Sequence, residues 1–126
     1  MRLHLSDQNP TPYYLQIFEQ VRQLILTGEL LPGEALPSIR QLAQELLTSV
    51  ITVKRAYQEL ETAGLITTRP GLGTFVARLD EESRRSLALG AAREALGRAI
   101  REAKRLGLSP EQIRRLVESL LTEWEV

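Results

Sequence analysis

Two short helical patterns separated by about three residues constrain the fold of this chain more than any other feature. The first begins at Ser38, with Gln41 three residues on as the partner of a capping box, and runs to about Leu46. The second begins at Ser49 and reaches Gly64. Two helices joined by so short a turn are typical of a helix-turn-helix.

The apolar period changes after the second of these helices. Residues 65–68 and 74–77 are rich in β-branched and aromatic side chains, and the run from Arg69 to Gly73 separates them. Such a pattern predicts a β-hairpin with a glycine-containing loop.

A further helix is predicted before the helix-turn-helix. Thr11 is suited to its N-cap and Pro12 to its first helical position, where a missing N–H has no cost. Apolar residues then recur at three- and four-residue spacing until Gly28, which can end the helix in a left-handed conformation. Helix, helix-turn-helix and hairpin, in this order, are the elements of a winged helix.

The composition shifts near residue 80. Beyond it no β pattern appears, and Ala, Leu, Arg and Glu dominate. One helical pattern ends at Gly107, and Ser109 with Pro110 starts another. We therefore predict a mainly α fold with a small β-hairpin, in which a winged helix-turn-helix domain (1–79) is followed by a C-terminal α-helical hairpin (80–126).

The second helix of the helix-turn-helix turns a polar side away from its apolar side. A helix of this kind suits the major groove of DNA, provided that its first turns carry cationic and hydrogen-bonding side chains. The candidate DNA contacts here are Ser49, Val50, Ile51, Thr52, Lys54 and Arg55. Lys54 and Arg55 can reach phosphates or guanine edges, and Ile51 or Val50 can contact a thymine methyl group. The alternative is that both cations are ordinary solvated surface charges.

The hairpin loop holds a G-x-G sequence, Gly71-Leu72-Gly73, close to Arg69. A dinucleotide site needs a helix after such a motif, and the strand pattern that follows here excludes that site. An arginine-bearing tip with glycines instead suits a wing that lies on the sugar–phosphate backbone or enters the minor groove. We therefore take Arg69 and Gly71 as candidate DNA contacts. A simple turn is the alternative.

The tail carries a narrow apolar seam. Its two helices hold too few apolar positions for an independent core, so they either pack on the first domain or pair with a second copy. The seam of Ala and Leu at heptad-like spacing favours a homodimer, whose two-fold axis would set the recognition helices about 34 Å apart. The candidate dimerisation residues are Leu89, Ala92, Leu96, Ala99, Ala103, Leu106, Ile113, Leu116, Val117 and Leu120.

Composition excludes several classes of function. The chain has no cysteine, and His4 is its single histidine, which removes thiol chemistry, His-paired catalysis and multi-histidine metal sites. Glu59 and Glu61 diverge on their helix and do not form a catalytic pair. We therefore expect no enzyme, no cofactor and no metal. No apolar run approaches a membrane span, so we expect no membrane partner and a cytoplasmic protein.

The net charge is an apparent objection to nucleic acid as a partner. The 16 Lys and Arg residues balance 16 Asp and Glu residues. Their placement answers the objection, since Arg40, Lys54, Arg55 and Arg69 fall on the helix-turn-helix and the hairpin. A winged helix that binds only protein, and dimerises through its tail, stays open as the alternative.

A long string of motifs runs from about residue 10 to residue 78. It comprises Pro12–Ile17, Gly28–Gly33, Leu36–Ala43, Thr52–Glu61, Gly64–Ile66 and Gly71–Val76. On these motifs the chain resembles the GntR family of transcription regulators. Its short helical tail resembles that of the YtrA subfamily, in which the tail serves chiefly for dimerisation.

The resemblance implies a homodimer that binds double-stranded operator DNA, usually as a repressor that responds to a small-molecule effector, unidentified here. By position it implies that Arg40 contacts phosphate or base and that Ser49 caps the recognition helix and touches phosphate. It also implies that Lys54 projects from the exposed side of that helix and that Gly71 brings the wing to the minor groove. Val50 departs from the family pattern, because many members carry a base-reading arginine there. This departure predicts a different operator.

Overall fold

The computed structural model describes residues 1–125. In that part of the chain it contains five α-helices and one antiparallel pair of strands, which confirms the mainly α fold with a small hairpin. In chain order the elements are α1 (Tyr13–Leu26), α2 (Ile39–Leu46), α3 (Val50–Thr62), β1 (Ile66–Arg69), β2 (Gly73–Val76), α4 (Glu81–Arg105) and α5 (Pro110–Glu123).

The helix-turn-helix forms where its capping residues predict it. The Ser38 hydroxyl accepts the Gln41 N–H at 3.1 Å, and the Gln41 side chain accepts the Ser38 N–H at 2.9 Å. The Ser49 hydroxyl accepts the Thr52 N–H at 3.1 Å and caps α3. Between the helices Leu47 is left-handed (φ 54°), alone among the non-glycine residues that the structure describes. This conformation ends α2 and turns the chain into α3.

The start of α1 differs from the prediction. Pro12 is the N-cap rather than the first helical residue, and its carbonyl accepts the N–H groups of Leu15 and Gln16, both at 3.0 Å. Proline has no side-chain acceptor, so the cap relies on this backbone carbonyl. At the other end Gly28 is left-handed (φ 83°), as predicted.

The segment before α1 is tied to that helix by two glutamines. The Gln16 side chain accepts the Ser6 N–H at 2.9 Å and donates to the Ser6 carbonyl at 3.0 Å. The Gln20 side chain does the same with the backbone of His4, at 2.9 and 2.7 Å. The two side-chain amides thus satisfy the backbone groups of Ser6 and His4 and hold this segment along α1.

Each strand of the hairpin reaches one residue closer to the loop than predicted, because Arg69 pairs with Gly73. A loop of residues 70–72 remains, and the Leu72 N–H closes it on the Arg69 carbonyl at 2.9 Å. Gly73 adopts φ 126°, which residues with a side chain rarely do. We call this tip, residues 70–73, the wing.

The turn before α2 pairs with the hairpin, which the sequence did not predict. Ala35 forms an isolated antiparallel bridge with Phe75. The Leu36 N–H donates to the Thr74 carbonyl at 2.8 Å. These bonds fix β2 beside the start of α2, so that the wing and the helix-turn-helix share one surface.

The described chain divides into two compact units, Met1–Arg84 and the part from Arg85 onward. The Arg84 guanidinium donates to the Leu26 carbonyl at 3.2 Å, which joins the first turn of α4 to the first unit. The core of that unit consists of Ile17, Val21, Ile25, Leu30, Leu36, Leu42, Ala43, Val53, Ala56, Tyr57, Leu60, Leu65, Ile66 and Val76. The functional division at residue 80 stays a prediction.

In the tail, Gly107 is left-handed (φ 93°) just after α4 and Ser109 caps α5, as the sequence predicts. Asp80 accepts the Ser83 N–H at 2.7 Å before α4, and Ser109 with Gln112 completes a capping box before α5. Among the described residues of the second unit, Ile113 alone is a buried apolar residue. Within residues 1–125, no helix combines the length and the apolar character that a membrane span requires.

Candidate nucleic-acid interface

The recognition helix α3 separates an apolar side from an exposed one. The buried residues are Val53, Ala56, Tyr57 and Leu60, as their spacing predicts. Ile51, Lys54 and Arg55 are exposed, and Ile51 retains 79% of its accessible surface. A helix with such a free side at the surface of its domain can enter the major groove of DNA.

At the start of α3, the side chains of two predicted DNA contacts, Ser49 and Thr52, form a hydrogen bond. The Ser49 and Thr52 hydroxyl oxygens are 2.7 Å apart, in addition to the cap that Ser49 provides. Val50, next to them, is about half exposed. The cap predicted for Ser49 is confirmed, and the turn that it fixes presents hydroxyls at a helix N-terminus, where anions bind favourably.

A groove of about 650 Å³ lies between α3 and the wing, with the start of α2 as a further wall. We call it the wing groove and define it by Leu36, Arg40, Val50, Lys54, Leu72 and Thr74. Of the candidate contacts predicted from the sequence, it brings together Arg40, Val50 and Lys54. The other candidates lie outside its walls.

The wing groove is cationic although the chain as a whole is neutral. Of the described residues that line it, only Arg40 and Lys54 are charged. Within residues 1–125 neither cation is paired with a carboxylate. The zero net charge therefore conceals a local excess of positive charge, which attracts a phosphate backbone.

Tyr57 joins α3 to the start of α2. Its hydroxyl donates to the Pro37 carbonyl at 2.7 Å, directly before the cap of α2. Burial raises the pKa of this phenol well above its usual range, and the negative charge of Glu45 adds to the effect. The hydrogen bond holds the first turn of α2, and with it Arg40, against the recognition helix.

Two predicted DNA contacts are stacked on aromatic rings of their own domain. The guanidinium carbon of Arg55 lies 3.8 Å from the centre of the Tyr14 ring on α1. That of Arg69 lies 5.2 Å from the centre of the Phe75 ring. Helical spacing predicts which side of α3 Arg55 lies on but does not identify its partner, so the contact with Tyr14 could not be predicted from the sequence.

The wing carries a further candidate contact, Leu72, which the residue pattern did not predict. Leu72 is 72% exposed and lines the wing groove together with Val50. Beside it Gly71 is left-handed (φ 76°), and among the described residues no atom beyond its two chain neighbours lies within 4 Å of the place where a Cβ would lie. The available signal was an apolar residue between two glycines, at a position where a turn residue is expected.

The predicted dimerisation residues lie almost entirely on exposed surface of the second unit. Those exposed are Leu89, Ala92, Leu96, Ala99, Leu106, Leu116, Val117 and Leu120. Ala103 is half-buried. Ile113 is only 7% exposed, so it has little surface left for a partner.

Comparison with known sequences places the winged helix in a family. Residues 13–76, from the first residue of α1 to the last of β2, match the family described as bacterial regulatory proteins, gntR family. Over 121 residues the chain is 32% identical to the HTH-type transcriptional repressor YtrA of Bacillus subtilis (strain 168), covering 94% of this chain and 91% of that one. It is 38% identical over 109 residues to the HTH-type transcriptional regulator YhcF of the same organism, covering 84% and 87%.

Solved structures extend the likeness to the tail. A GntR family transcriptional regulator from Listeria monocytogenes matches with a TM-score of 0.72 at 31% identity, covering 91% of this chain and 98% of that one. YtrA from Sulfolobus acidocaldarius matches over all of both chains, with a TM-score of 0.56 at 30% identity. AraR(DBD) in complex with operator ORE1 matches 61% of this chain and 94% of that one, with a TM-score of 0.52 at 31% identity.

Proposed function

The chain belongs to the gntR family of bacterial regulatory proteins, and from that premise we propose how it acts. It is a YtrA-like, DNA-binding transcription regulator with a winged helix-turn-helix. Our proposal is that it binds a palindromic operator in double-stranded DNA as a homodimer and represses transcription from there.

The wing groove is the observation that supports this mode of binding. It gathers Arg40 and Lys54, neither of which is paired with a carboxylate within residues 1–125, in a chain of zero net charge. It also includes Val50, at the start of the recognition helix. Phosphate contacts from such cations position a protein on DNA, whereas side chains in the major groove read the bases. AraR(DBD), which is similar in fold, is found in complex with an operator.

The exposed seam of the tail supports a homodimer. Leu89 and Leu96 on α4, and Leu106 directly after it, are each more than half exposed. Full burial of one such side chain stabilises by roughly 1.5–3 kcal/mol, so two copies gain by covering each other's seams. A two-fold pair presents its recognition helices to half-sites about 34 Å apart. Ile113 is left out of the proposed interface because it is already buried.

Control and location complete the proposal. A small-molecule effector of unassigned chemistry alters operator binding through the tail. The chain acts in the cytoplasm, where bacterial DNA lies. No chemical reaction is assigned to it, and its partners are operator DNA, a second copy of itself and the effector.

Selection of fragments from random-sequence DNA tests the proposal against a winged helix that binds only protein. We expect the full chain to enrich a palindromic motif. Its affinity for that motif should fall by orders of magnitude between 50 and 200 mM salt, because phosphate binding releases counterions. A scrambled fragment is the control. No enrichment at micromolar protein would overturn the proposal in favour of the protein-only alternative.

A further inference from the structure

The loop of the wing presents a leucine rather than a charge. Leu72 is 72% exposed, and its N–H is bonded to the Arg69 carbonyl at 2.9 Å, so the side chain stands on a closed turn. The guanidinium of Arg69 is drawn to the Phe75 ring, 5.2 Å away. Loop residues 70–72 carry no charge of their own.

The position of Leu72 beside the two cations indicates what it meets on DNA. It shares the wing groove with Arg40, Val50 and Lys54. With α3 in the major groove, the phosphate backbone that borders that groove runs past Arg40 and Lys54. Beyond a backbone lies the minor groove, so the far wall of the wing groove, which holds Leu72, comes to the edge of the minor groove.

We propose that Leu72 is a specificity-determining contact that selects A·T pairs where the wing meets the minor groove. The inference rests on the proposed function, and it adds a second place where sequence is read. A G·C pair carries the guanine N2 amino group in the minor groove, and an A·T pair does not. The Leu72 side chain covers the minor-groove acceptors of either pair, but on a G·C pair it also displaces the water that accepts from the N2 amino group and offers no acceptor in its place. A G·C pair therefore loses one hydrogen bond more than an A·T pair does.

Inosine separates this kind of reading from contacts in the major groove. An I·C pair has the major-groove edge of G·C but lacks the N2 amino group, so its minor groove resembles that of A·T. Each A·T pair of the selected operator is replaced in turn by G·C and by I·C, and the affinity of the full chain is measured by fluorescence anisotropy. At the base pairs that face the wing, we expect G·C to weaken binding about tenfold. I·C at the same pairs should bind within about twofold of the original A·T pair.

Leu72→Ala tests the assignment to this residue. In this variant, G·C at the base pairs that face the wing should weaken binding less than about threefold. The loss of affinity caused by G·C at the pairs that face α3 should be the same as in the wild type. Leu31→Ala is the matched control, since Leu31 is a 60% exposed leucine in a turn outside the wing groove, and it should keep the wild-type profile.

Two results would overturn the role of Leu72 and leave the proposed function standing. One is an I·C pair that binds as weakly as G·C at every position of the operator. The other is a penalty under the wing that persists unchanged in Leu72→Ala. Failure to select any operator would overturn the proposed function, and this inference with it.

Discussion

The guanidinium carbon of Arg55 lies 3.8 Å from the centre of the Tyr14 ring, so that α3 and α1 are joined at the surface as well as through the core. Arg55 is exposed and Tyr14 is half-buried. Exposed cation–π pairs stabilise by roughly 0.5–1 kcal/mol. The contact therefore gives a cation of the recognition helix a fixed place without neutralising its charge.

Replacing Tyr14 by leucine should remove this stack, and replacing it by phenylalanine should keep it. In urea unfolding, a double-mutant cycle of Tyr14→Leu and Arg55→Ala should give a coupling free energy of about 0.5–1 kcal/mol. Tyr14→Phe is the control, because Arg55→Ala should destabilise that variant as much as it destabilises the wild type. Additive effects of Tyr14→Leu and Arg55→Ala would contradict the prediction.

Removing a cation from the wing groove should weaken operator binding and its dependence on salt. Arg40→Ala and Lys54→Ala should each reduce the slope of log affinity against log salt by about 0.9 per protomer. Arg55→Ala should change the slope less, because its guanidinium is stacked outside the groove. Lys104→Ala, an exposed cation on α4, is the control and should leave the slope unchanged. The measurement is a salt series of anisotropy titrations.

A charge on the exposed seam of α4 should separate the proposed dimer. Leu96→Arg places a guanidinium where two copies are expected to meet, and sedimentation velocity should then show a monomer with weakened operator binding. Gly90→Arg is the matched control, since it adds the same charge on a different side of α4, where nothing from another part of the fold lies within 4 Å of the place for a Cβ. A dimer that withstands Leu96→Arg would show that the seam is not the interface.

Leu47 holds a left-handed conformation that suits glycine better than leucine. Its φ of 54° is unfavourable for a residue with a side chain by roughly 1–2 kcal/mol, and the side chain is 93% exposed, so little packing is lost on its removal. Leu47→Gly should raise the free energy of unfolding by up to about 1 kcal/mol in urea titrations. Leu31→Gly, at an exposed position with negative φ, should lower it by roughly 0.5–1 kcal/mol. If both glycine variants had a lower free energy of unfolding than the wild type, strain at Leu47 would be excluded.

Tyr57 should make stability sensitive to alkaline pH. Burial and the charge of Glu45 raise its pKa in the fold, whereas a tyrosine in an unfolded chain ionises near pH 10. The neutral phenol therefore contributes fully below pH 10, and the contribution falls by about 1.4 kcal/mol per pH unit above it.

Between pH 9 and pH 11, the wild type should thus lose about 1.4 kcal/mol more free energy of unfolding than Tyr57→Phe. At pH 8 the variant should itself be less stable by about 1 kcal/mol, because the Pro37 carbonyl loses its donor. Urea titrations at the three pH values measure both effects. If the wild type and Tyr57→Phe lost the same free energy of unfolding between pH 9 and pH 11, the assignment to Tyr57 would be contradicted.

Local signals were enough to predict most of the secondary structure. Ser38, Ser49 and Ser109 each cap the helix that the sequence predicts, and Gly28 has the left-handed conformation expected of it. An N-cap acts on residues two or three positions away, so its effect is contained in a short stretch of sequence. The prediction for Pro12 differs from the structure by one residue, because proline is tolerated both at the cap and at the first helical position.

Contacts between distant segments could not be predicted in this way. The bridge from Ala35 to Phe75 and the stack of Arg55 on Tyr14 join residues about 40 positions apart. Spacing on a helix shows which side a residue faces but not what lies there. Arg40 and Lys54 could be predicted as contacts from their positions in the helix-turn-helix. That Leu72 lines the same groove is visible only in the fold.

The tail has a consequence for the amount of protein that a cell must make. In the described part of the second unit, only Ile113 is a buried apolar residue. Under the proposed pairing, the remaining apolar surface leaves water only when a second protomer arrives, so folding of the tail and association are one equilibrium. The melting temperature of the tail should then rise with protein concentration. At low protein concentration the chains would be monomeric and their tails partly unfolded. Under the proposed pairing, the regulator therefore acts only above a minimum concentration in the cell.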